Sequence, residues 1–445
     1  MFQKVLVASR GEIAVRIIRA LREMGIKTVA VCSEADREAL PAQLADESIC
    51  IGPAPSADSY LNMEQIISAT IAAGAEAIHP GYGFLSENAK FAQMCEKCHI
   101  SFIGPSSEAI RLCGNKAAAR KTMEEANVPI IPGTKEPLYD VRTAKTRADK
   151  MGYPLMIKAS AGGGGKGMRI VERAEEFEQN FLTAQQEAEK SFQDSSMYLE
   201  RYIRRARHIE VQLLADRWGN VIQLGERDCS IQRNHQKLLE EAPCPALYKE
   251  LRRELGETAV RAAKAVGYEN AGTIEFLYCE DGSFYFMEMN TRIQVEHPVT
   301  EMVTGMDLIK AQVRIAAGEK LSVRQEDISI KGHAIECRIN ARCPGTVTQL
   351  HLPNGNRIRV DTALYQGCVV SPYYDSMIAK VIVHGEDREE AVQKMCSALG
   401  ELIIEGVDTN LEEQYQILMD KRFLAGQVDT HFIPASNETS DGRED

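Results

Sequence analysis

Glu275, Glu288 and Asn290 are the residues from which the chemistry of this sequence is most directly read. They lie in two apolar, β-branched or aromatic runs, 273–278 (TIEFLY) and 284–297 (FYFMEMNTRIQVEH), with Asp281-Gly282 between them. Asp-Gly flanked by strand-like runs predicts a β-hairpin. With 281 and 282 as a two-residue turn, Glu275 faces Glu288, and directly opposed side chains lie about 5 Å apart at Cβ. Two carboxylates held that close need a cation between them or a raised pKa. Asn290 leaves the same face, and two carboxylates with an amide oxygen make a hard oxygen site suited to Mg²⁺. If the chain stays extended, Arg292, Gln294 and Glu296 continue that face at period two. Such a row could hold a metal, an anion and a base side by side. The solvent face of an ordinary antiparallel hairpin would alternate in the same way.

Two further stretches carry chemistry. Residues 154–160 and 168–172 read as strands, the first containing Lys158, and between them run four glycines (162–165), Lys166 and Gly167. Positions 162–167 fit G-x-G-x-x-G, but a strand follows where a dinucleotide fingerprint needs a helix. A glycine loop between strands can instead fold over a triphosphate, because bare N–H groups approach the phosphates while Lys158 and Lys166 add charge. A flexible linker is the alternative, although linkers seldom place lysines in flanking apolar strands. His208, Glu210 and Gln212 alternate with apolar residues and share one face. Residues 226–228 (ERD) and 232–237 (QRNHQK) form a dense polar stretch ending in Lys237, with His235 nearby; a solvated loop has the same composition.

The elements that must position these groups begin with strand 4–8, helix 11–24, strand 27–32 and strand 76–79, the opening of a parallel α/β domain. The loop 80–84 sets two glycines around Tyr82 at the C-terminal end of a strand, where α/β sheets present ligand sites. A helix starts at Lys116, and the short strand 198–203 contains Glu200, Arg201 and Ile203. After the hairpin come helix 306–317, strand 332–340 with Arg338, strands 357–360 and 377–383, and a helix capped at Asp387 that runs to about 402.

The chain has 445 residues, a length that suggests about three domains. Apolar content of 44% and charged content of 26% read as globular and soluble. The net charge of −12 argues against nucleic-acid or membrane-surface partners, and no apolar run is long enough for a membrane span. No signal-peptide pattern opens the sequence, and the twelve cysteines are scattered, as in a reducing cytoplasm. Cys95-Glu-Lys-Cys98-His99 matches a haem-attachment spacing but reads as a helix end.

Nine motifs in order resemble one family. They are SRGEIA (9–14), HPGYGFLSEN (79–88), GNKAAAR (114–120), IKASAGGGGKGMR (157–169), RHIEVQ (207–212), ERDCSIQRNHQK (226–237), FMEMNTRIQVEHPVTE (286–301), ECRINA (336–341) and PYYDSMIAK (372–380). The chain resembles the biotin carboxylase subunit of acetyl-CoA carboxylase, an ATP-grasp enzyme; pyruvate and propionyl-CoA carboxylases carry the same domain, and other ATP-grasp ligases share its lid and metal ligands. The resemblance implies an α/β chain, α+β overall. Its parts would be a Rossmann-like N-terminal domain (1–113), an ATP-grasp domain (114–325) with a glycine-rich lid at about 131–203, a mixed C-terminal domain (326–436) and a polar tail (437–445). It implies ATP held by Lys116, Lys158, Gly163, Gly164, Gly165, Lys166, Glu200, Arg201, Ile203, His208, Gln232, His235 and Leu277. Two Mg²⁺ or Mn²⁺ ions would sit on Glu275, Glu288 and Asn290, and bicarbonate on Arg292, Gln294 and the Val295 backbone. Glu296 would be the base, Lys237 would lie near the transferred groups, and Arg338 with Tyr82 would receive biotin. Expected partners are a biotin carboxyl carrier protein, carboxyltransferase subunits and a second copy of the chain. No Met-Lys-Met biotinylation site is present, so biotin is expected from another protein or domain. Two departures stand out: Lys166 where many members carry Arg, and a shortened stretch after Asn340 that bears on how Arg338 is positioned.

Overall fold

Lys4–Val7 is buried along its apolar positions and forms the centre of a five-stranded parallel sheet. Lys27–Cys32 and Ala77–His79 flank it in parallel register, with Glu47–Cys50 and Ser101–Phe102 at the edges. Helix Gly11–Glu23 follows the first strand and turns Ile13, Ile17, Ile18 and Leu21 into the core, the βαβ arrangement expected from the sequence. The Cys95–His99 motif closes helix Ala89–Lys97, as its composition suggested.

The computed structural model describes residues 1–445 except 161–166, 193, 235 and 435–445. The chain divides into two units: Met1–Arg111 with Arg207–Glu275 and Met289–Asp445, and Leu112–Ala206 with Phe276–Glu288. In the second unit, Leu155–Ala159 pairs antiparallel with Met168–Val171 on one side and Met197–Arg201 on the other. Helices Val141–Met151 and Phe177–Phe192 cover this sheet through Ala144, Ala148, Phe177 and Phe181. The glycine loop expected between the first two strands, with Gly163, Gly164, Gly165 and Lys166, lies outside the described residues.

An eight-stranded sheet carries His208, Gln232, Lys237, Glu275 and Arg338. Across it, His333–Asn340 lies antiparallel between Gln236–Ala242 and Met377–Gly385. Ile335, Cys337 and Ile339 face a core with Met395 and Leu399, while Ala334 joins Val299 and Val303 of helix His297–Thr304. By that alternation Glu336 and Arg338 leave on the side of this helix. Asp387 accepts the Glu390 N–H at 2.9 Å and Glu390 accepts the Glu386 N–H at 2.6 Å, the expected capped start of helix Arg388–Glu401.

The structure corrects two expectations about the hairpin. The Cys279 N–H donates to Ser283 O at 2.8 Å and the Gly282 N–H to Cys279 O at 3.0 Å, so Glu280, Asp281 and Gly282 form a three-residue loop. Gly282 has φ +84°, the left-handed position such a loop requires. Beside the turn, pairing is therefore one residue out of step with a two-residue turn. The chain also does not stay extended to Glu296. The strand ends at Asn290, and Pro298, with no N–H for a ladder, stands in the first turn of helix His297–Thr304.

Candidate active site

Glu275 is buried in strand Asn270–Cys279 and is hydrogen-bonded from three directions. Its Oε1 accepts from Asn290 Nδ2 at 2.8 Å, Gln294 Nε2 at 2.8 Å and Lys237 Nζ at 3.1 Å, and its Oε2 lies 3.0 Å from His208 Nε2. Asn290 and Gln294 thus converge on one carboxylate through their N–H groups, where the sequence predicted a shared extended face. Burial pushes the Glu275 carboxyl up, but Lys237 and His208 outweigh it and hold it well below the usual carboxylate range. His208 is itself raised by Glu275 against its burial, and its Nδ1 meets Gln232 Nε2 at 2.8 Å.

Lys237 opens the polar end of strand Gln236–Ala242 and is the hub of the site. Its Nζ donates to Glu210 Oε2 at 2.5 Å, Glu296 Oε1 at 2.6 Å and Glu275 Oε1 at 3.1 Å. Burial would lower its pKa; three carboxylates raise it well above the ordinary lysine value. Glu296, just ahead of helix His297–Thr304, is shared by Lys237 and by Arg338 Nη2 at 2.9 Å. Burial alone would raise Glu296, but Lys237, Arg338 and Arg227 together hold it well below its ordinary value.

Arg338 stands where the shortened loop raised a question. Its carbonyl accepts from Gln414 Nε2 at 2.8 Å and Asn410 Nδ2 at 3.1 Å, and the Asn340 N–H donates to Asn410 Oδ1 at 2.7 Å. These bonds pin the end of the strand independently of the loop. Among the described residues Arg338 Nε is buried without a hydrogen-bond partner, an arrangement that suits an incoming acceptor.

Arg292 donates Nε to Glu87 Oε2 at 2.9 Å and Nη2 to Asn290 Oδ1 at 3.2 Å. The Val295 carbonyl accepts from Lys380 Nζ at 2.6 Å, and the Tyr82 hydroxyl donates to Glu12. In the other unit, Glu200 is gripped by Arg120 Nη1 at 2.7 Å and by Lys158 Nζ. Lys116 is exposed at the start of helix Lys116–Glu125, Arg201 is exposed, and Ile203 and Leu277 are half-buried. Glu288 is exposed in strand Phe284–Asn290; His235 lies outside the described residues.

Several residues had no role in the sequence reading. Arg227 is fully buried directly opposite Glu210 and donates to Glu210, Gln212 at 2.8 Å, Thr300 at 2.9 Å, Gln294 Oε1 at 2.8 Å and Thr273 at 3.3 Å. By fixing the Gln294 carbonyl oxygen it turns the Gln294 amide N–H groups toward Glu275. The one-face alternation of His208, Glu210 and Gln212 was the available signal, but not their partner strand. Glu87, from the motif at 79–88, was also missed.

One donor atom each from His208, Glu210 and Glu275 lie within 4.8 Å of one another. Two carboxylates with an imidazole nitrogen in a buried cluster are donors that a divalent cation such as Mg²⁺ or Mn²⁺ can take, so the residues present fit such an ion. Among the described residues no helix is long and apolar enough to cross a membrane.

Comparison with known proteins accords with this geometry. Residues 1–110 match the family model "Biotin carboxylase, N-terminal domain", 115–324 "Carbamoyl-phosphate synthase L chain, ATP binding domain", and 336–435 "Biotin carboxylase C-terminal domain". Biotin carboxylase 1 of Bacillus subtilis is 53% identical over 97% of this chain and 98% of its own length. The crystal structure of a biotin carboxylase–β,γ-ATP complex from Campylobacter jejuni superposes with a TM-score of 0.94 at 48% identity, covering 97% of this chain and 98% of that one. The biotin carboxylase domain dimer of Hydrogenobacter thermophilus 2-oxoglutarate carboxylase, described with MgADP, ADP and bicarbonate, gives 0.92 at 50% identity and covers 97% of each chain.

Proposed function

The chain belongs to the biotin carboxylase family of ATP-grasp enzymes, and from that premise we propose how its residues divide the work and which carboxylase it serves. Its activity is the ATP-dependent carboxylation of biotin with bicarbonate; ATP, Mg²⁺ and carrier-bound biotin are what the reaction requires. Arg292, Gln294 and the Val295 N–H hold bicarbonate, and Glu296 takes its proton as an oxygen attacks the γ-phosphorus and ADP leaves. Lys116, Lys158, His208 and Lys166 neutralise the triphosphate. Glu200, Arg201, Ile203, Gln232, His235 and Leu277 seat the nucleoside, with Gly163, Gly164 and Gly165 covering it. Glu275, Glu288 and Asn290 would hold Mg²⁺, which when bound offsets the charge of the phosphates.

The observation that carries this reading is Glu296 placed between Lys237 and Arg338. With both cations close it is ionised and ready to accept a proton, though weakly basic. Phosphate near Lys237 and the biotin oxygen near Arg338 compete for those cations and raise Glu296 toward the range a base needs. Carboxyphosphate then breaks to CO₂ and phosphate, phosphate takes the biotin ureido N–H proton, and the nitrogen attacks CO₂. Arg338 stabilises the charge on the ureido oxygen, with Tyr82 beside it.

We place the chain in the cytoplasm as a homodimer. Free cysteines support the first, and a dimeric relative supports the second. Its carrier protein hands carboxybiotin to carboxyltransferase subunits acting on acetyl-CoA, the first half-reaction of acetyl-CoA carboxylase in fatty acid synthesis. The test is reconstitution with a biotinylated carrier and carboxyltransferase subunits, offering acetyl-CoA, propionyl-CoA, pyruvate or 2-oxoglutarate. Malonyl-CoA as the main product supports the assignment, and preferential carboxylation of another acceptor overturns it.

A further inference from the structure

Glu240 and Glu336 face each other directly across strands Gln236–Ala242 and His333–Asn340, and both are fully buried. Among the described residues neither Glu336 oxygen has a hydrogen-bond partner, and Glu240 meets Arg338. Glu240 is paired with Arg338 Nη2, and the same Nη2 reaches Glu296 at 2.9 Å. Two opposed carboxylates in a buried site cannot both ionise without a large penalty.

We propose that Glu240 and Glu336 act as one singly protonated carboxyl pair that positions Arg338 and leaves part of its positive charge free for the biotin ureido oxygen. The inference rests on the reading of Arg338 as the group that receives biotin. Charged and titratable groups around the pair, among the described residues, bear on its state. They are Lys237 on the strand of Glu240, Cys229 on the strand beside it, Arg338 and Cys337 on the strand of Glu336, and Lys380 on the next strand. Glu296 lies at the start of the packed helix, Tyr82 faces Glu336, and Glu12 approaches through Lys380 at 3.2 Å. Burial raises Glu240 to about 7 even with Arg338 opposing it, and raises Glu336 well above the ordinary carboxyl value despite Lys380.

With one proton in the pair, Arg338 faces Glu296 and a single shared charge. When pH rises and the proton leaves, a second negative charge closes on Arg338 and competes with biotin. Stimulation of ADP release by biotin therefore carries a high-pH limb set by the pair. Release driven by bicarbonate alone lacks that limb.

The experiment measures biotin stimulation of bicarbonate-dependent ADP release against pH in the full chain, in Glu336→Gln and in Glu240→Gln. Infrared spectra of each at neutral and raised pH are recorded alongside. In the unsubstituted protein stimulation falls about tenfold per pH unit beyond the pair's apparent pKa. Each variant, with one carboxyl left, loses that limb or moves it by more than about one unit. The unsubstituted protein also shows a carboxylic-acid carbonyl band at neutral pH that fades as pH rises and is absent from Glu336→Gln. An unchanged limb in both variants overturns the proposal. If a variant fails to fold, absence of the band from the unsubstituted protein overturns it and the band's fading with pH supports it. Arg338→Gln separates the premise: stimulation retained there removes the reading of Arg338, whereas stimulation lost there with an unmoved limb in the carboxyl variants removes only the pair.

Discussion

Lys237 Nζ lies 2.6 Å from Glu296 Oε1, on strand Gln236–Ala242 and at the head of helix His297–Thr304 respectively. The ammonium serves Glu210 and Glu275 as well. One cation thus ties the proposed base to the carboxylate that would hold metal, and a charge brought near either is felt by both.

Glu296→Gln keeps the shape of the proposed base and removes its proton acceptor. Bicarbonate-dependent turnover falls about 10²–10⁴-fold, the usual contribution of a positioned base. Nucleotide affinity, measured by calorimetric titration, stays unchanged. Unchanged turnover removes Glu296 as the base.

Lys237→Met leaves Glu210, Glu275 and Glu296 buried without their shared cation. Breaking a buried pair from one side costs about 3–5 kcal/mol, read as a lower urea midpoint at unchanged slope. Glu296 also shifts upward, because the first cation holding it down is gone. A stability equal to that of the unsubstituted protein contradicts the network.

Glu288→Lys places a cation where the proposed metal site needs a carboxylate. ADP release with Mg·ATP is lost at every Mg²⁺ concentration, while far-ultraviolet circular dichroism is retained. A variant that still turns over removes Glu288 from the metal site.

His79 is buried, accepts the Gly81 N–H at 3.1 Å, and is pushed by burial from 6.5 to about 3. The unfolded chain binds this proton first, so the stabilising contribution is complete above the unfolded value and is lost as pH falls from there toward about 3. His297, also lowered by burial, adds in the same direction. The urea midpoint declines over that window, and His79→Asn, which cannot titrate, flattens the decline. An equally steep decline in the variant assigns the acid sensitivity elsewhere.

Glu275, Asn290, Gln294, Glu296 and Lys237 were legible in sequence because short-range motifs carried them. The turn was not, since Asp-Gly suits both a two-residue turn and a three-residue loop with glycine in the left-handed position. The supports were hidden for another reason. Arg227 meets Glu210, and Glu240 meets Glu336, by strand register. Alternation within a single strand reports which face a residue occupies but not what stands opposite. Asn410 and Gln414, which hold the Arg338 strand, come from a helix region some seventy residues downstream.

ADP release with Mg·ATP, with and without bicarbonate and with and without free biotin, compared between the unsubstituted chain and Arg338→Gln, tests the account most directly. The account predicts release that requires bicarbonate and is raised further by biotin, with the biotin increment lost in Arg338→Gln. Release that ignores bicarbonate, or a biotin increment undiminished in the variant, contradicts it.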